Sequence, residues 1–181
     1  MNMNRSRRRL LHALALAGLL PAAAQARKAE IYRTATWEEL VPKGWNPFQQ
    51  FRDRNLGLVR EGSAEERSMM KELREVWDNA PTRADLNGTQ LRLPGYVVPL
   101  DPEEGGVKEF LLVPYFGACV HSPPPPANQI VHVVLPVARP LRTMDAVWAS
   151  GTLRTQRQDS PWGISGYSMD GHRVEPYADK R

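Results

Sequence analysis

Apolar positions recur along this chain with two different periods, and the change of period marks its organisation. Between Ser63 and Asn79, Met69, Leu73, Val76 and Trp77 fall at helical spacing, while Glu65, Arg67, Lys71, Glu72, Arg74 and Glu75 fill the remaining faces. That pattern predicts one amphipathic helix over residues 63–79. Ser63 with Glu66 three places on forms a capping box at its start, and Asn79–Ala80–Pro81 stops it. From Asn87 onward apolar residues come in short runs and alternations between turn residues, which predicts strands. Five are expected: Thr89–Leu100, Val107–Tyr115, Gln129–Val137, Ala146–Thr155 and Ile164–Tyr177, the last with Asp170–Gly171 as a candidate fold-back. Asn87–Gly88 reads as a tight turn before the first strand. Pro94–Gly95 within that strand predicts a bulge or sharp bend.

Five short strands, the first long and bent, suit a small barrel, because closing the sheet hides edges that an open sheet exposes. The expected fold class is mainly β with one N-terminal helix, as a five-stranded barrel resembling the oligonucleotide/oligosaccharide-binding fold. A sandwich is the alternative. Residues 27–62 have no periodicity, but Trp37, Trp45 and Phe48 are aromatic anchors on coil-like sequence. They read as an extended arm wrapped on the domain.

The first 26 residues carry a different pattern. Arg5, Arg7, Arg8 and Arg9 precede an apolar run from Leu10 to Leu20, and Ala24–Gln25–Ala26 supplies the small residues of a signal-peptidase site. Ser6–Arg7–Arg8–Arg9–Leu10–Leu11 resembles the twin-arginine export pattern. The apolar run is too short for a permanent anchor. The expected organisation is a twin-arginine-like signal peptide over 1–26 cleaved after Ala26, the arm over 27–62, helix and linker over 63–86, and the barrel over 87–181. The expected location is the periplasm, with no permanent membrane anchor.

Cleavage changes the charge argument. The chain has 24 Lys and Arg against 20 Asp and Glu, and residues 1–26 hold four Arg and no acid, so the remainder has 20 of each. A surface that follows phosphates needs a cationic excess, so nucleic acid is excluded as the expected partner. Chemistry concentrates at the single cysteine. Cys119 and His121 stand two apart, followed directly by Pro123–Pro126 and then Asn128–Gln129. On a strand that spacing puts both side chains on one face. A thiolate with imidazole suits zinc or copper, and His132 is a third candidate ligand from the next strand. His172 is a more distant fourth.

Three other readings stand beside the metal site. Cys119 can be a small buried residue, with His121 bonded to the loop backbone. Cys119 can be a reactive thiol held by His121 or His132 and oriented by Asn128, although the chain offers no resolving cysteine and no nucleophile elbow. The polyproline run can dock on a partner, or brace its own loop. Trp148 reads either as part of a binding face or as packing beneath the helix stripe of Met69 and Trp77, and Glu103–Glu104 as a solvated hairpin pair.

The block Leu93–Leu100, the run Phe110–His121, the prolines with Asn128–Gln129, Val147–Leu153 and Gly166–Met169 together resemble one family. It is the bacterial exported domain-of-unknown-function family numbered three-two-nine-nine, and the resemblance spans about residues 35–177. The resemblance implies an exported protein without established activity. It also implies neighbourhood with transporter components of the macrolide-exporter type and with metal-responsive genes. No lipid-attachment cysteine follows the leader, so a lipoprotein anchor is not implied. The expected function is a non-enzymatic periplasmic accessory that binds zinc or copper or assists an ABC-type transporter subunit. The alternatives are a partner-docking module that uses the polyproline loop with a structural Cys119, and a cysteine-dependent enzyme.

Overall fold

The computed structural model describes residues 32–53, 59–100, 102–103, 105–118 and 124–177. The expected signal peptide over 1–26 and the pair Cys119 and His121 therefore lie outside the described residues, as does Glu104.

The predicted helix forms as α1, Ala64–Asp78. Ser63 Oγ accepts the Glu66 N–H at 3.1 Å, and the Glu66 carboxylate accepts the Gly62 N–H at 2.5 Å. The reciprocal bond thus reaches one residue further back than in the usual box, because the Ser63 N–H already donates to the Arg60 carbonyl. Such a cap is worth about 1 kcal/mol. Of the predicted stripe, Leu73 is buried, while Met69, Val76 and Trp77 are half-buried. At its C-terminal end Arg74 pairs with Asp78 and donates to the Pro124 carbonyl at 3.1 Å.

The strands are β1 (Arg33–Thr34), β2 (Gln90–Pro99), β3 (Pro102–Glu103), β4 (Gly106–Val113), β5 (Val131–Arg139), β6 (Ala146–Arg154), β7 (Gln158–Ser160), β8 (Gly163–Ser165) and β9 (Tyr167–Pro176). Five of them close a mixed barrel in the order β2-β6-β9-β5-β4 and back to β2. All neighbours are antiparallel except β5 and β9, which run parallel. The architecture is the expected mainly-β barrel with one helix, and this wiring resembles the oligonucleotide/oligosaccharide-binding barrel. β1 adds to β2 in parallel, β3 extends β4, and β7 with β8 forms a separate hairpin that the alternation did not predict.

Closure depends on β2 serving two partners. Its first half pairs with β6 from Gln90↔Thr152 to Tyr96↔Ala146, and its second half pairs with β4 from Tyr96↔Val113 to Pro99↔Phe110. The bulge expected at Pro94–Gly95 is absent, since pairing with β6 passes through both residues without a register shift. Gly95 answers another demand: a Cβ there would sit 2.8 Å from Leu112 Cγ and from the Val113 carbonyl oxygen. The shifts occur instead between Val107↔Arg139 and Glu109↔Val134, with the extra residues on β5, and between Ser150↔Arg173 and Gly151↔Gly171, with His172 the extra residue on β9. The fold-back expected at Asp170–Gly171 is absent too, because β9 runs on through both. The chain breaks earlier, at Gly166, whose N–H donates to the Ala127 carbonyl at 2.7 Å.

Alternation sends Leu91, Leu93, Val97, Phe110, Leu112, Val131, Val133 and Leu153 into the barrel core. Burying each such side chain stabilises the fold by about 1.5–3 kcal/mol. Trp37 and Leu40, from the segment before the helix, join that core, and Trp37 Nε1 donates to the Pro94 carbonyl at 2.7 Å. Trp148 does not pack beneath α1. It points outward, with the Arg92 guanidinium 4.6 Å from its ring centroid and the Tyr177 ring centroid at 5.4 Å. The reason is parity: Val147 and Ala149 take the core-facing positions of β6.

Candidate functional site

A second, smaller apolar cluster forms outside the barrel. Val98 of β2 and Leu111 and Val113 of β4 are buried there together with Ala118 and Ile130. These strand residues face away from the main core, so burying them requires a cover. The long β4–β5 connection supplies it by laying Ala118 and Ile130 on the sheet. Ala118 directly precedes Cys119, and Ile130 stands two residues before His132.

His132 lies on this outer face of β5, between Leu111 of β4 and Ser168 of β9 in the pairing register. Its side chain is only 13% exposed, and its buried Nε2 has no hydrogen-bond partner among the described residues. The nearest carboxylate oxygen, Glu109 Oε2, stands at 3.4 Å. That is an ion-pair distance but too long for a good hydrogen bond. Glu109 and His132 are diagonal neighbours across the β4–β5 pair, within reach of long side chains. An imidazole nitrogen shut off from water and lacking a partner is costly unless something binds it. Its chemistry suits a metal or a hydrogen-bonding group.

The expected ligands are not gathered among the described residues, where no group of three His, Cys, Asp or Glu side chains converges. Cys119 and His121 lie outside those residues. His172 is placed elsewhere: Ser168, not His172, pairs with His132, and four residues along a strand span about 13 Å. His172 Nδ1 is hydrogen-bonded to the Tyr32 hydroxyl at 2.8 Å.

The flank of the candidate site is tied down. Pro126 has polyproline II angles, φ −56° and ψ 147°. Pro125 is buried, and a Cβ on Gly163 would stand 3.0 Å from Pro124 Cβ. This part of the proline run packs within the domain. Asn128 is fully buried, and its Nδ2 donates to the Pro81 carbonyl at 3.0 Å, tying the proline run to the linker after α1. Glu109 and Ser168 had no signal in the sequence as neighbours of His132. Glu109 is a lone acid beside the apolar run Phe110–Val113, but only the β4–β5 register brings it there. No helix among the described residues is long and apolar enough to cross a membrane.

A family model described as a protein of unknown function, DUF3299, matches residues 37–176. Among solved structures, the chain is similar to the crystal structure of a DUF3299 family protein from Pseudomonas aeruginosa PAO1, with 34% sequence identity and a TM-score of 0.64. That match covers 83% of this chain and 99% of the other. No curated protein matches the chain. Matched over most of its length by both comparisons, this chain belongs to the DUF3299 family.

Proposed function

We propose that this protein is an exported, non-enzymatic periplasmic accessory whose working centre is a transition-metal site on the outer face of the barrel. Cys119, His121 and His132 would supply a thiolate and two imidazoles to zinc or cuprous copper. The observation that carries this reading is the buried Nε2 of His132, without a hydrogen-bond partner among the described residues, beside the apolar cluster that holds Ala118. Ala118 sits on the same patch of sheet as Leu111, the cross-strand partner of His132, and is the residue before Cys119 in the sequence. Glu109, at 3.4 Å, would offset positive charge on the bound ion. Ligation needs the thiol deprotonated and the imidazoles neutral, so affinity falls as pH falls. The leader pattern supports export. The family resemblance supports a transporter subunit as the partner that delivers or receives the ion.

The test is competition of purified protein against a chromogenic chelator, with zinc and, under anaerobic reducing conditions, with cuprous copper. The expected result is one equivalent bound, with Cys119→Ser and His132→Ala each weakening binding at least tenfold. Wild-type affinity in both variants, or no binding of either metal, refutes the proposal.

A further inference from the structure

The switch of β2 between its two partners leaves a wedge on the barrel surface. Pairing with β6 ends at Ala146 and pairing with β4 begins at Val113, both opposite Tyr96. On the Pro94 side of Tyr96, β2 has no pairing with β4, and a cleft of about 220 Å³ opens there, lined by Trp37, Pro94, Tyr96, Pro114, Ala146 and Tyr177. Two further rings extend it. Phe116 meets Tyr96 edge-on at 5.7 Å, and Trp148 lies 5.4 Å from Tyr177. Phe116 is 67% exposed and Tyr177 45% exposed. Aromatic surface left open in one continuous strip marks a binding surface more often than chance placement.

The lining narrows what can bind. No carboxylate, amine, guanidinium or imidazole is among the cleft residues. An occupant is therefore uncharged where it touches the cleft, which removes phosphates. Among the described residues the hydroxyls of Tyr96 and Tyr177 have no hydrogen-bond partner, so the cleft offers donors to carbonyl acceptors. A sugar chain presents hydroxyls all round and would call for carboxylates or amides that are missing here. A second copy of this chain would need an interface of roughly 1,200 Å² or more, far larger than this wedge. A polyproline II segment fits each point: its rings stack on aromatics, its carbonyls are free, and little entropy is lost on docking. Beside the strip, the Arg92 guanidinium lies over the outer Trp148 ring. It complements an acidic residue next to the prolines.

We propose that this cleft binds a proline-rich, extended segment of a partner protein, flanked by an acidic residue. The cleft adjoins the apolar cluster beside His132, against which Tyr96 packs, but none of the proposed metal ligands is among its described lining residues, and titration with chelator present lets the two readings succeed or fail independently. The experiment is calorimetric titration of the purified protein with a decaproline peptide ending in one glutamate. A Gly/Ser peptide of the same length and charge, and maltoheptaose, serve as comparators. The proline peptide is expected to bind at least tenfold tighter than either. Phe116→Ala and Tyr177→Ala, both at exposed positions, are each expected to weaken it about tenfold while leaving the melting curve in place. Tyr177→Phe, which keeps the ring and removes the hydroxyl, is expected to produce a smaller loss. Equal affinity for the two peptides, preference for the sugar, or unchanged affinity in both alanine variants overturns the proposal.

Discussion

Replacing Tyr167 with Phe removes one oxygen from a fully buried position and leaves the ring volume unchanged. That oxygen joins three segments. It donates to the Leu40 carbonyl at 2.6 Å, accepts the Arg83 N–H at 2.7 Å, and belongs to the residue that opens β9. Tyr167→Phe makes no cavity of consequence, so the cost is the loss of two hydrogen bonds by groups with little access to water. A buried donor or acceptor deprived of its partner costs about 1–3 kcal/mol. The Arg83 N–H is only part-buried, and water recovers some of its share. The expected loss is therefore about 2–4 kcal/mol, which lowers Tm by roughly 5–15 °C at about 2–4 °C per kcal/mol for a chain of this size. Urea unfolding is the assay, and its slope should not change, because the surface exposed on unfolding is the same. A loss below about 0.5 kcal/mol would refute the claim that this hydroxyl ties residues 32–51 and the linker to the barrel.

Further outcomes follow from the same geometry. Gly151→Ala places a Cβ 2.2 Å from the Asp170 carbonyl oxygen and 2.8 Å from Met169 Cγ. The β6–β9 pairing must then shift, and chemical denaturation should show a loss of about 2–4 kcal/mol. Burial pushes the Tyr167 phenol above its ordinary value, against the lowering effect of the Arg83 N–H. The neutral phenol's contribution is complete below about pH 10 and is lost as pH rises through the raised value, so wild type but not Tyr167→Phe should lose stability there. The Arg33 guanidinium and the Thr36 N–H hold the Glu39 carboxyl below the usual range, and Arg83 does the same for Asp85. Their contribution is present above the ordinary carboxylate range and is lost as pH falls through the lowered values. Unfolding curves of a Glu39→Gln, Asp85→Asn double variant should accordingly be flatter with pH below about 4.

Strand positions were legible because alternation is a local signal. β2 and β6 begin and end within one residue of the expected limits, and α1 differs only by its caps. That the sheet closes was expected from its exposed edges, but the way it closes was not legible. It rests on Tyr96 pairing with Ala146 on one edge and Val113 on the other, contacts made across the fold rather than along the chain. The bulge alternative at Pro94–Gly95 failed for the same reason: the glycine accommodates Leu112 and Val113 from a neighbouring strand, not a bulge in its own. Asp170–Gly171 resembled a turn, but the second residue is glycine because a Cβ there would stand 2.7 Å from Leu135 Cδ2 and 2.9 Å from Val133 Cγ1. At the candidate site, His132 was visible as a histidine on an alternating strand. Its buried nitrogen and its neighbour Glu109 were not, since both depend on the β4–β5 register and on the connection that covers the outer face.

Elemental analysis of the protein recovered from the periplasmic fraction without chelators tests the central claim most directly. The account predicts close to one zinc or copper per chain, with both Cys119→Ser and His132→Ala recovered from the same compartment largely without it. Wild-type protein that is absent from that fraction, or present there and free of metal, contradicts it.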